Sequence, residues 1–97
     1  MKTLGCGSSL EEKSVLVFDI ETNSLDILKA SVRYFGAFSY LTNEFYMFAH
    51  TKKTEMYELM KKHSVIVGFN CKNFDLPILE REGFNLKYKT IVDLWEI

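Results

Sequence analysis

The sequence predicts an α/β domain on a mixed five-stranded sheet, with an antiparallel meander on one side and flanking crossover helices on the other. Three observations lead there. Two short apolar runs, SVLVFDIE at 14–21 and SVIVGF at 64–69, read as buried strands. Between them, two aromatic and β-branched runs are joined by a polar turn. Helical patterning follows that hairpin and returns after the second apolar run, giving the order β-β-β-α-β-α-β.

The elements follow in turn. Residues 1–12 hold Gly5, Gly7, Ser8, Ser9, Glu11 and Glu12 without apolar periodicity, so a flexible arm is expected before a domain at 13–97. The first strand is apolar at both parities, which predicts a central strand covered on both faces. Thr22, Asn23, Ser24 and Asp26 make a polar turn. VRYFGAFSYL at 32–41 and FYMFAH at 45–50 form a hairpin, with Asn43 able to take the left-handed turn position. The clearest helix runs from Thr51 to His63. Thr51 or Thr54 can cap it, and Met56, Leu59, Met60 and His63 share one face. The strand at 64–69 returns after a helix, so it is expected to pair in parallel with the first strand. A second helix from about Leu76 to Glu82 stops at Gly83, a natural left-handed C-terminal residue. Thr90–Asp93 is the fifth strand. The sequence ends on the apolar stretch LWEI without a cap, which predicts a C-terminally truncated domain.

Composition narrows the function classes. The 97 residues make one small domain, and 47% hydrophobic content with five Gly and one Pro excludes collagen-like and proline-rich disordered chains. No apolar run approaches the roughly 20 residues of a membrane helix, so no membrane partner is expected. The N-terminal MKTLGCGSSLEEK lacks a signal-peptide core, and two cysteines, Cys6 and Cys71, fit a reducing compartment; a cytoplasmic location is expected. Twelve basic and 13 acidic residues leave a net charge of −1. That excludes the broad attraction of a strongly basic protein for nucleic acid, and leaves room for a local groove.

The chemistry resides in the carboxylates. Strand alternation puts Val15, Val17, Asp19 and Glu21 on one face and Leu16, Phe18 and Ile20 on the other. Asp19 and Glu21 are then same-face neighbours, with alpha carbons roughly 6.5–7 Å apart. Two ionised acids at the end of a dry strand repel and lose water, a cost of several kcal/mol that a hard divalent cation with oxygen ligands offsets. The bland alternative is that the strand ends there and both acids point to solvent. A second acid, Asp75, follows the other apolar strand in NCKNFDLP at 70–77. If the two strands are parallel, their carboxyl ends share one edge of the sheet, where ligand sites of open α/β sheets lie. Asp75 has a plainer reading as a helix N-cap, with Pro77 in the first turn.

FDIETNSL at 18–25 and VGFNCKNFDLPIL at 67–79 resemble the first and second motifs of the ribonuclease H-like DEDD 3′–5′ exonucleases. The flavour is that of B-family DNA polymerase proofreading domains and related trimming nucleases, over about residues 14–97. The resemblance implies Asp19, Glu21 and Asp75 as catalytic metal ligands for two Mg²⁺ or Mn²⁺ ions. It places Thr22, Leu25 and Asn70 beside the terminal nucleotides of a single-stranded or frayed DNA or RNA 3′ end, with Phe74 packed beneath. Ser24 stands where many relatives have Gly. The family's third motif, a final Asp preceded by Tyr or His on a later helix, has no counterpart. Asp93 ends the fifth strand and reads instead as a cap for Leu94 and Trp95. An N-terminal portion of a longer exonuclease is therefore expected, inactive by itself, and prone to self-association through exposed apolar surface. The alternative is a non-catalytic nucleic-acid-binding or scaffolding module of the same fold.

Other polar groups have simpler readings. His63 lies on the apolar helical stripe as a core-edge histidine, His50 has no partner, and Cys71 lacks a base to make it a nucleophile. Cys6 has no C-x-x-C companion for zinc. The lysines of 52–62, with Lys72, Arg81, Lys87 and Lys89, can contact phosphates or simply form a solvated face.

Overall fold

The computed structural model describes residues 14–96; the expected arm at 1–12 and the zinc question at Cys6 lie outside the described residues. Strand β1 (Val15–Thr22) pairs antiparallel with β2 (Val32–Ser39), which pairs antiparallel with β3 (Glu44–Ala49). A single 3-10 turn, His50–Lys52, leads into α1 (Lys53–Lys61). Strand β4 (Val65–Gly68), helix α2 (Asp75–Arg81) and strand β5 (Thr90–Asp93) follow, and a 3-10 turn spans Leu94–Glu96. The sheet order is β3-β2-β1-β4-β5, with β1 parallel to β4 and β4 parallel to β5. The mixed five-stranded α/β architecture is the expected one.

One face of the sheet carries the core. Leu16, Phe18 and Ile20 of β1, Phe35 and Ala37 of β2, and Ile66 of β4 are buried in one cluster with Met56, Leu59 and Met60 of α1. Leu76, Ile78 and Leu79 of α2 and the following Phe84 and Leu86 complete it. Phe18 and Phe35 stack with ring centroids 5.9 Å apart. His63 is buried in this core as a neutral ring. Its Nδ1–H donates to the Leu59 carbonyl at 2.7 Å, which leaves Nε2 to accept from the Ser39 hydroxyl at 2.6 Å. Burial pushes its pKa below the ordinary histidine value, and the charges of Lys89 and Lys62 push the same way.

Asn43 and Gly83 take left-handed backbone, with φ 61° and 103°, as the turn and helix-end readings require. Three local expectations need correction. Neither Thr51 nor Thr54 caps α1: its N-cap is Lys52, without a side-chain cap bond, because the chain enters the helix through the 3-10 turn. Asp75 is not the cap of α2 but its first residue, preceded by Phe74. Strand β1 is covered on one face only among the described residues. Val15, Val17, Asp19 and Glu21 lie on the other face, in register with Phe38, Gly36 and Tyr34 of β2 and with Val65 and Val67 of β4. There Phe45 and Met47 of β3 stand exposed, and Val17, Gly36, Phe38, Phe45 and Met47 line a shallow groove with Asp19 beside it.

Candidate metal and nucleic-acid site

The site forms where two strands of unequal length part. Pairing of β1 with β4 runs over Val15–Val65 to Val17–Val67, and β4 ends at Gly68 while β1 continues to Thr22. The loop after β4 turns back tightly. A Cβ on Gly68 would lie 2.8 Å from Cys71 Cβ and 2.9 Å from Phe18 Cε1, so only glycine lets the loop fold onto the strand. Asn70 takes left-handed backbone at φ 55°, which Asn tolerates better than most residues. The chain then enters α2, the Leu76 N–H donating to the Cys71 carbonyl at 2.8 Å.

This route delivers Asp75 to the space beside β1. Asp75 is 5% exposed, and its carboxyl is pushed up to about 6. Burial is the largest cause and the charge of Asp19 the next, with a smaller push from the charge of Asp93, opposed by hydrogen bonding from the backbone at Ile20 and Asp75 itself. Asp19 is exposed on the open sheet face, and Glu21 follows it on the same face, also exposed. The fold thus brings Asp19 and Asp75 within electrostatic reach and leaves Glu21 further along the strand. Among the described residues no three His, Cys, Asp or Glu side chains converge closely enough to hold a metal ion. A buried carboxylate beside a second one is nevertheless a hard-oxygen donor set with uncompensated charge, and that is the chemistry a divalent cation suits.

The remaining expected residues surround this pair unequally. The Thr22 hydroxyl donates to the Ser24 carbonyl at 2.7 Å and holds the turn after β1. Leu25 is 93% exposed, an apolar side chain held out into solvent next to that turn. The Asn70 side chain accepts from Asn73 Nδ2 at 3.3 Å, and Phe74 is half-buried against the core. Arg81 does not offer itself to a phosphate: it donates to the carbonyls of Ile27 and Ala30, pinning the loop that carries Leu25. Lys89 is likewise occupied, on the carbonyls of Lys61 and His63. Lys72 pairs with Glu96 at 3.1 Å. Cys71 is fully buried, and burial, with Asp93 and Asp75 nearby, raises its thiol to about 11, so it stays protonated.

Asp93 exceeds its sequence reading. It does accept from the Trp95 N–H at 3.0 Å, as a cap would, but it also accepts from the N–H groups of Asn70 at 2.7 Å and Lys72 at 3.0 Å. Burial alone would raise its pKa; backbone donors at Lys72, Trp95, Asn70 and Cys71 outweigh it and hold the carboxyl below the usual range. Nothing local in the sequence marks Asn70, Cys71 and Lys72 as partners, because they lie in the loop after β4.

A search against curated proteins finds no match. Among solved structures the fold is similar to part of the family B DNA polymerase from the hyperthermophilic archaeon Pyrobaculum calidifontis, with a TM-score of 0.69 and 23% identity. That likeness covers 87% of this chain and 16% of the polymerase, so the chain spans a small part of that protein's length. The RNase H superfamily model matches residues 16–97, and the chain belongs to the RNase H superfamily.

Proposed function

We propose that this chain is part of a 3′–5′ exonuclease that trims DNA or RNA ends, with Asp19, Glu21 and Asp75 as ligands for Mg²⁺ or Mn²⁺. The observation that carries the reading is the buried Asp75 facing the charge of Asp19 at the carboxyl edge of a parallel strand pair. Two like charges placed so are costly in an isolated domain, and a bound cation removes the repulsion. The fold supports the nuclease class; Asp19, Glu21 and Asp75 would hold the divalent ions, which would supply water activation and charge stabilisation for phosphodiester hydrolysis. In this reading Asp75 is held rigid by α2 and Asp19 by β1, while Glu21 swings in from the strand end. Thr22 shapes the turn that presents Leu25 to a terminal base, Asn70 borders the nucleotide, and Phe74 backs the site. The substrate is a single-stranded or frayed 3′ end, and the expected location is the cytoplasm. Among the described residues no helix is long and apolar enough to cross a membrane.

The test is thermal melting with and without millimolar Mn²⁺, beside Asp19→Asn. A ligand that binds only the native state stabilises it by RT ln(1 + [L]/Kd), so even weak binding raises the midpoint. The parent should melt higher with Mn²⁺ and the variant should not. An unmoved parent midpoint would refute the metal reading.

A second reading is a non-catalytic nucleic-acid-binding or scaffolding module. It is favoured by one observation, that among the described residues no three His, Cys, Asp or Glu side chains come close enough to hold a metal ion. Oligonucleotide binding that is indifferent to Mn²⁺ and to Asp19→Asn would support it. The open apolar sheet face also supports self-association of the isolated chain, which sedimentation velocity over a concentration series checks; a monomer throughout would contradict it.

A further inference from the structure

We propose that Asp93 is the positioning residue of this site, fixing the loop after β4 and, through it, the first turn of α2 that carries Asp75. The proposal rests on the reading of Asp75 as a metal ligand. Asp93 is 3% exposed and stands opposite Gly68 in the β4–β5 register, at the point where the loop departs. Among the described residues it forms no ion pair with a lysine or arginine, so its charge is balanced by backbone donors. One oxygen accepts from Asn70 N–H and Trp95 N–H, and the other from Lys72 N–H. A cap for the Leu94–Glu96 turn would need only the Trp95 bond. The other two cross to a loop more than 20 residues earlier, and they hold Asn70 in its left-handed conformation.

The link from that loop to the ligand is short. Cys71, between the two clamped residues, has its side chain wedged against Gly68 and its carbonyl bonded to the Leu76 N–H, one residue beyond Asp75. Loosening the clamp therefore frees the start of α2 to shift relative to Asp19. Groups that orient metal ligands from behind typically change metal affinity by about 10–100-fold when substituted.

The experiment compares Asp93→Asn and Asp93→Glu with the parent, reading Mn²⁺ affinity by calorimetry and amide hydrogen exchange by NMR. Asp93→Asn keeps the shape but turns an NH₂ toward the Lys72 N–H, a donor against a donor. Asp93→Glu keeps the charge and moves the oxygens by one methylene. Both variants should bind Mn²⁺ about tenfold more weakly. Exchange should quicken at Asn70 and Lys72 and stay unchanged at Leu16 and Phe35. Parent-like affinity in both variants with a still-protected loop overturns the proposal. So does full affinity in Asp93→Glu alone, since charge rather than position would then be what matters. Exchange that quickens across the whole sheet also overturns it, as general destabilisation. If the parent itself binds no Mn²⁺, the metal reading fails separately. The exchange then decides: selective loss at Asn70 and Lys72 upholds the clamp, and its absence refutes it.

Discussion

On the helix-covered face of the sheet, Leu16, Phe18, Ile20, Phe35 and Ile66 are all buried. One residue along the same strands, Val17, Asp19, Gly36, Phe38 and Val67 stay partly or fully open. The covered face is apolar and interlocked, and it supplies the stability of a small domain. The open face mixes apolar side chains with Asp19 and Glu21. Asp75 sits at the boundary, rooted in the covered layer and reaching the charge of the open one. Apolar packing and acidic groups are thus assigned to opposite sides of single strands, and the two meet at one carboxylate.

The contrast can be broken most sharply by truncating one ring on each side. Phe35→Ala should cost about 3–5 kcal/mol in urea denaturation, enough to threaten folding. Phe45→Ala, at a position 84% exposed, should cost less than about 0.5 kcal/mol. Equal losses would mean that the open face is covered in solution.

The boundary residue comes next in size. Asp75 has a folded pKa of about 6 against 3.8 when unfolded, so between those values the native state holds a proton that the unfolded chain has released. Stability from this group is therefore greatest below about pH 4 and is lost as pH rises through 6. At about 1.4 kcal/mol per pKa unit, metal-free Asp75→Asn should gain on the order of 3 kcal/mol at pH 7 and little at pH 4. His63 works in the opposite sense, its depressed pKa eroding stability as pH falls below 6.5, but it is common to both proteins and cancels in the difference. Denaturant melts at the two pH values read this directly.

Smaller still is the pair of glycines. Gly68→Ala drives a methyl into Cys71 and Phe18 on the covered side and should cost about 1–3 kcal/mol. Gly36→Ala, opposite Asp19 on the open side, meets nothing nearer than Met47 Cε at 3.6 Å and should lie within about 0.5 kcal/mol of the parent. The least effect on stability is expected from Val17→Lys, whose consequence should appear instead as reduced self-association in sedimentation.

Much of this was legible in the residues. Alternation in SVLVFDIE placed Asp19 and Glu21 together, and Asn43 and Gly83 marked their turns because few other residues adopt a left-handed backbone at low cost. The open face was not legible. Val15 and Val17 say that the surface favours cover, but apolar residues read the same whether or not a neighbour supplies it. Asp75 was ambiguous because an acid before a helix suits a cap as well as a site; the helix begins at Asp75 itself, which removes the cap, and its burial near Asp19 depends on tertiary structure. Asp93 was hidden for a related reason: of the donors that define its role, only Trp95 is close in sequence.

The inequality of β1 and β4, eight residues beside four, has a consequence of its own. A sheet whose strands match in length offers a straight rim with no recess. Here the longer strand overhangs its parallel neighbour, which leaves a notch in the ladder beyond the Val17–Val67 pair. Recesses of this kind are set by where a strand stops rather than by any side chain. An insertion that let β4 run on alongside Asp19 and Glu21 would close the notch by ordinary ladder hydrogen bonding, with every acidic residue still in place.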